Sequence, residues 1–384
     1  MTNRRAMMVP SSTVESFRSA APFGLSLLTL PLALASAAWG GLWVISLPLF
    51  AWMLFTLLDA ALGLNEENAD LTTTEAQLFW YRLITMIWAP IQVLLILGML
   101  AYVPQAAHLN VLEKIMIFFG LGVITGTIGI VYAHELVHQR NRVERWLGDI
   151  LLASVLYSHF RSEHLLVHHR YIGTPRDAVT ARYNEHFWAF LIRVMREEPV
   201  SAFKAERDML ARRGLPWWHR SNPHWRYWCL QAAFLIAAVV LGGWAGLFLF
   251  LYQAFVAVWQ LELTNYIEHY GLTRKHLGEG KYEHVLPRHS WNASQTASNW
   301  LLINLQRHSD HHYKPDRRFP LLQTYDEDEA PQLPYGYPLM GIFAMIPPVW
   351  LRRMNPRVRE WRRKYYPEIE DWTPYKEATN PLPR

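Results

Sequence analysis

The stretch IMIFFGLGVITGTIGIVYAHELVHQR, residues 115–140, runs from an apolar segment straight into a His-Glu-x-x-His pattern. Its first part, Ile115–Tyr132, carries no charge. At about 1.5 Å per residue it is long enough to cross most of the ~30 Å hydrocarbon core of a bilayer. His134 and His138 follow at once. On a helix, residues i and i+4 share one face, so both imidazoles can reach one metal ion. The stretch therefore reads as a membrane helix whose end presents ligands. Taken alone the pattern is ambiguous, because zinc proteases use the same spacing with the glutamate as base.

Outward from this helix, the apolar residues that make up 51% of the 384-residue chain are gathered into runs. Upstream, the run from Trp80 to Val103 pairs with Ile115–Tyr132 through a short link at 104–110. An earlier run from Phe23 to Leu64 is broken at Trp39-Gly40-Gly41, and a later one turns at Gly242-Gly243 between Trp228–Leu241 and Trp244–Leu263. The expected fold is an all-α integral membrane protein of six transmembrane helices arranged as three hairpins, with a histidine-rich catalytic cap on the cytoplasmic side. Its expected segments are an N-terminal tail (1–22), helices 1–4 ending in the first histidine pair (23–139), a cytoplasmic segment (140–227), helices 5 and 6 (228–266) and a cytoplasmic C-terminal catalytic segment with its tail (267–384).

Charge sets the orientation. Of 37 Lys and Arg, three lie in the N-terminal tail (Arg4, Arg5 and Arg18), fifteen between Arg140 and Arg226 and seventeen from Arg274 onward. The three opposite turns are almost free of them, so the positive-inside rule places both termini and both large segments in the cytoplasm. Trp80, Tyr81, Tyr102 and Trp228 suit interfacial belts. The net charge of +5 comes with no nucleic-acid motif. The lone Cys229 excludes an intrachain disulfide and an iron–sulfur cluster, and reads as a small buried hydrophobe. Electrons for any redox chemistry must come from another protein. The tail after about Met354 is charged, contains proline and is expected to add little to the core.

Nine of the 17 histidines fall in four short clusters, and all four lie on the side assigned to the cytoplasm. Beyond His134 and His138, the second cluster holds His164, His168 and His169, with 164 and 168 again at i, i+4. The third is His269, and the fourth His308, His311 and His312. Nine imidazoles exceed what one tetrahedral zinc can use and suffice for two metals. Imidazole suits Fe, Zn, Cu and Ni. Iron is favoured because a dinuclear, oxygen-activating site accounts for both the ligand count and the membrane setting. Glu135, Glu163, Glu268 and Asp310 stand beside these histidines and are the carboxylates expected to hold the far ring nitrogens. They compete with a reading as interfacial charges paired with Arg140, Arg161 or Arg307. Trp52, Phe55, Leu58, Ile87, Trp88 and Ile91 are candidate liners of a substrate channel.

HELVH (134–138), EHLLVHH (163–169), NYIEHYGL (265–272) and LQRHSDHH (305–312) resemble the four histidine boxes of the AlkB-type alkane monooxygenases, of the wider histidine-box di-iron hydroxylase and fatty-acid desaturase superfamily. PRHSWN (287–292) and EAPQLP (329–334) extend the resemblance, which covers most of the chain. It implies a non-haem di-iron site, O2 as co-substrate and oxidation of the terminal carbon of an alkane to a primary alcohol. It further implies electrons from rubredoxin and a rubredoxin reductase, a bacterial inner-membrane location, and all nine clustered histidines as iron ligands. Val167 stands where the family usually has glycine, and Gln139 where it usually has a basic residue; neither removes a ligand. Other readings remain: a methyl hydroxylase of alkyl-aromatics, a fatty-acyl desaturase or hydroxylase, a zinc protease built on HELVH, and a membrane protein that binds or transports metal.

Overall fold

The structure is a computed structural model and describes residues 13–372; Arg4 and Arg5 lie outside the described residues. It is mostly helical. Long apolar helices form one end: α1 (Ser16–Trp39), α2 (Gly41–Leu62), α3 (Phe79–Gln105) and α4 (Val111–His138). Shorter helices follow: α5 (Arg142–Ala153), a helical stretch over 160–171 (α6) and α7 (Phe187–Ala211). The last long helix is α8 (His224–His269), trailed by a small hairpin of β1 (His276–Gly278) and β2 (Lys281–Tyr282). The chain closes with α9 (Thr296–Leu301), α10 (His308–Tyr313), α11 (Tyr337–Ala344) and α12 (Pro347–Tyr365).

Among the described residues, five helices are long and apolar enough to cross a membrane. The fifth, α8, would be about 69 Å long if straight, more than twice a bilayer core. It is not straight. Gly243 has φ 61° and ψ −155°, a conformation open to glycine, and the ring centroids of Phe234 and Phe250 come within 6.1 Å. The two arms therefore fold back on each other. The three apolar turns meet at one end: Gly41 N donates to Glu113 Oε1 at 2.7 Å, His108 Nε2 lies 3.1 Å from Ala37 O, and Gln105 Nε2 donates to Leu241 O at 2.9 Å. At the other end the connector over 65–77 is woven into the histidine-bearing region, where Thr324 N donates to Asn68 Oδ1 at 2.7 Å. Leu94, Ile236, Val240 and Phe248 turn outward from the helices, as apolar side chains facing lipid would.

Close helix contact needs small residues. A Cβ added at Gly122 or Gly126 would sit 2.8 Å from Gln253 O or 2.7 Å from Ala257 O, so these glycines let α4 press against the second arm of α8. That contact holds the first and third histidine clusters side by side.

Three expectations need correction. Helix begins at Thr13, inside the segment read as a polar tail. Its polar side chains have partners, with Ser16 Oγ donating to Gln77 O at 2.8 Å and Ser19 Oγ 2.6 Å from Tyr81 OH. Cys229 is exposed, not buried, because it points away from the bundle on the outer face of α8. The tail after Met354 belongs to the core. Trp350, Met354, Val358 and Trp361 form a buried stripe at helical spacing along α12, with Arg352, Arg353, Arg359 and Arg363 exposed.

Candidate metal centre

The four clusters converge. His134, His138, His164 and His311 form one group with every ligand nitrogen within 4.8 Å of the others; His168, His269, His308 and His312 form a second. His169 joins the first, since its Nε2 lies 3.2 Å from His138 Nε2, 3.0 Å from His164 Nε2 and 3.1 Å from His311 Nε2. In the second group His308 Nε2 lies 3.2 Å from His269 Nε2 and 2.9 Å from His312 Nε2. The chain thus presents five imidazoles to one point and four to another.

Local backbone explains this division. His134 and His138 share one face of α4, as i and i+4 should. Residues 164–168 instead form a π-turn, in which His169 N bonds back to His164 O. That turn brings His164 and His169 together and sends His168 to the other group, so the i, i+4 spacing of 164 and 168 does not mark a shared site. In α10, His308 and His312 follow the i, i+4 rule while His311 crosses to the first group.

Two segments outside the boxes act as braces. Trp291 N donates to Glu268 O and its Nε1 to Tyr270 O, both at 2.9 Å, fixing the end of α8 at His269. Asn292 Nδ2 donates to Ser309 Oγ at 2.6 Å and Ser309 N to Asn292 Oδ1 at 2.9 Å, fixing α10. Asn292 is itself held by Pro331 O and Leu333 N. The entrance to α10 turns through Ile303 and Asn304, both at positive φ (45° and 58°). For β-branched Ile303 this backbone is strained by about 1–2 kcal/mol.

The centre fits metal. Neutral imidazole nitrogens about 3 Å apart direct lone pairs at each other, which is unfavourable in a buried site unless a cation lies between them. With metal–nitrogen bonds of about 2.1 Å, ligands at right angles stand about 3.0 Å apart. Among the described residues His168 Nε2 is buried with no hydrogen-bond partner, an orphaned acceptor facing its group. Burial first, then the neighbouring imidazoles, pushes His164, His169 and His312 well below the usual histidine range, which keeps them neutral and able to bind metal.

The four carboxylates named from sequence take different places. Glu268 Oε2 lies 3.2 Å from His308 Nε2, on the ligand side of the ring and not at its far nitrogen. Asp310 pairs with Arg317 and accepts from Tyr325 OH at 2.6 Å, bracing α10 from behind. Glu135 accepts from Gln139 Nε2 at 2.8 Å and meets no histidine in a hydrogen bond. Glu163 is fully buried, and among the described residues neither of its oxygens has a hydrogen-bond partner. The support expected of these four comes from a fifth carboxylate, as Asp177 Oδ2 accepts from His168 Nδ1 at 3.0 Å. Asp177 sits on a loop, where no helical spacing points to it.

An apolar pocket ends at the centre. Trp52, Ile130, Val131, Leu263 and Ile342 are among its walls, and His134, His164, His308 and Glu268 close one end. Its walls come from α2, α4, α8 and α11. Of the channel candidates named from sequence only Trp52 lines it; Phe55 and Trp88 are packed in the core and Ile87 is exposed.

Comparison with known proteins agrees with this construction. Residues 113–344 match the fatty acid desaturase family, a region that includes every clustered histidine. The chain is 36% identical to alkane 1-monooxygenase 2 of Pseudomonas aeruginosa over 80% of this chain and 82% of that protein. It is 40% identical to alkane 1-monooxygenase 2 of Alcanivorax borkumensis over 66% and 65%. A more distant relative, at 27% over 70% and 72%, is the hydroxylase component of xylene/toluene monooxygenase from Pseudomonas putida. From the converging histidines, the matched region and these relatives, the chain belongs to the alkane 1-monooxygenase family, within the fatty acid desaturase family.

Proposed function

We propose that this protein is a membrane-embedded, non-haem di-iron enzyme that uses O2 to hydroxylate the terminal carbon of alkanes to primary alcohols. The observation that carries the reading is the junction of a nine-imidazole centre with the closed end of an apolar pocket. On this reading one iron is held by His134, His138, His164, His169 and His311, and the other by His168, His269, His308 and His312. When bound, the irons supply the redox chemistry that activates O2.

The chain's own residues do the rest. An alkane has no polar handle, so the pocket orients it by shape and apolar contact alone. Phe160 stacks on His164 at 4.8 Å and forms part of the same wall. Imidazole ligands bring no negative charge, so two divalent ions would need counter-charge nearby. The buried carboxyls of Asp177, Glu268 and Glu163 are placed to supply it. The protease reading leaves seven of the nine clustered histidines without a role, and Glu135 is engaged by Gln139 Nε2.

The six apolar arms then make six crossings as three hairpins. The bias of Lys and Arg toward the histidine-bearing end puts that end and both termini in the cytoplasm, where rubredoxin and its reductase would deliver electrons. The test is reconstitution with rubredoxin, rubredoxin reductase, NADH, linear alkanes and methyl-aromatics. Primary alcohols from the alkanes and two irons per chain are expected. Alcohols from the methyl-aromatics alone would move the substrate to the alkyl-aromatic class, and active protein without iron would end the reading.

A further inference from the structure

Beside the centre lies a second buried polar cluster that ligates nothing. Tyr157 follows α5, Glu198 lies on α7 and Glu262 on the second arm of α8. The Tyr157 hydroxyl donates to Glu198 Oε2 and also lies 3.0 Å from Glu262 Oε1. Both carboxyls are 0% exposed, and Tyr157 is 3% exposed. Among the described residues no Lys or Arg forms a salt bridge with either carboxyl. Among the described residues Glu198 Oε1 is buried without a partner. Two bare carboxylates cannot share one phenol in a low-dielectric interior, so the cluster must hold at least one acid proton.

The cluster has two ends. Outward, Glu198 sits on a helix whose other face carries the exposed Glu197 and Val200. Inward, Glu262 Oε2 accepts from Asn265 Nδ2 at 3.2 Å, and Asn265 lines the apolar pocket together with His164 and His308. We propose that Glu198, Tyr157 and Glu262 form a buried proton relay from the outer face of α7 to the closed end of that pocket. For a proton to move inward, a protonated Glu198 turns its O–H to the Tyr157 oxygen while the phenol passes its own hydrogen to Glu262 Oε1, 3.0 Å away.

The relay rests on the hydroxylase reading, which creates the need for it. Oxidation of an alkane R–H follows R–H + O2 + 2e− + 2H+ → R–OH + H2O. A C–H and the O–O bond break, the alcohol and one water form, and a one-electron carrier of the rubredoxin class supplies both electrons. The apolar walls of the pocket offer neither proton. Burial, then the neighbouring carboxyl of Glu262, pushes the Glu198 carboxyl above the usual carboxylate range, which favours the acid form the relay needs. The three side chains are relay residues; none lines the pocket.

The test compares Glu198→Gln, which keeps the shape and loses the acid, with Glu198→Asp, which keeps the acid, and with Tyr157→Phe. All are made in the full, iron-loaded chain with reductant, O2 and alkane. Glu198→Gln should slow alcohol formation about tenfold or more, divert reductant to released peroxide and enlarge the solvent deuterium isotope effect on kcat. Alkane KM and iron content should not change. Glu198→Asp should recover part of the rate, and Tyr157→Phe should resemble Glu198→Gln. Infrared spectra of the wild type should show a protonated carboxyl band that shifts in D2O and is missing from Glu198→Gln. A Glu198→Gln protein with wild-type rate, coupling and isotope effect overturns the relay alone, as do equal losses in the Gln and Asp variants. A wild type that yields no alcohol overturns the hydroxylase reading, and the relay with it.

Discussion

The two imidazole groups of the centre are built differently. The five-membered group takes pairs from α4 and α6 and a single ring from α10, and two of its members, His138 and His169, are only half-buried. The four-membered group takes single rings from α6 and α8 and a pair from α10, and all four are buried. It also has carboxylates in direct contact, Asp177 at His168 and Glu268 at His308. One group has a donor to spare and an open edge. The other has no spare donor and is enclosed, with counter-charge at hand. On the proposed assignment, redundancy and enclosure would be alternative ways of holding a cation, one on each side of the centre.

The largest expected effect breaks the contrast directly. Removing His308 leaves three imidazoles in its group, whereas removing His138 leaves four in the other. On the proposed assignment His308→Ala should drop bound iron from two to one per chain and cut hydroxylation by about 10³-fold or more, beyond the usual cost of a supporting residue. His138→Ala should keep most of its metal and lose about 10–100-fold in rate. Iron analysis beside alcohol yield decides this, and equal metal loss in both variants would show that the spare donor has no effect.

A smaller change sharpens the role of counter-charge. Asp177→Asn keeps the side-chain shape but removes the negative oxygen at His168 Nδ1. It should weaken metal binding by about 10–100-fold in chelator competition. An unchanged affinity would mean that the carboxylate only orients the loop.

The smallest effect concerns Glu283, in the segment that leads to Trp291 and Asn292. Glu283 accepts from Lys275 N at 2.7 Å and contacts His289, Arg288 and the Tyr366 hydroxyl just beyond α12. Burial favours its neutral form, but hydrogen bonds from His289, Tyr366 and Lys275 N outweigh that and hold the carboxyl below the usual range. A depressed folded-state pKa means the stabilisation is complete above the unfolded value of about 4.3 and fades as pH falls through the folded one. Glu283→Gln should cost about 1–3 kcal/mol at neutral pH, visible as a lower Tm, and should flatten the acid limb of the stability curve. An unchanged acid limb would remove Glu283 as its source.

Much of this was legible in the residues. The apolar runs marked the membrane helices because no other environment suits so long an uncharged stretch. The four clusters stood out because imidazoles at i, i+4 serve a metal and little else so densely. What stayed hidden has physical reasons. Asp177 is on a loop and carries no periodic signal. The stripe on α12 was masked by the arginines between its members, since overall charge averages over a helical period. Trp52 was recovered as a pocket wall but Ile87 was not, because hydropathy measures how apolar a residue is and not which way its helix is turned.

The sequence by itself determined the histidine inventory, the apolar arms and the uneven spread of charge between the two ends, since each depends on residue type and near-neighbour spacing. Only the tertiary structure decided which imidazole joins which group, which carboxyl supports it and where the pocket ends. Those depend on a π-turn, on helix rotation and on contacts between segments more than a hundred residues apart, such as His169 and His311, and no local pattern encodes them.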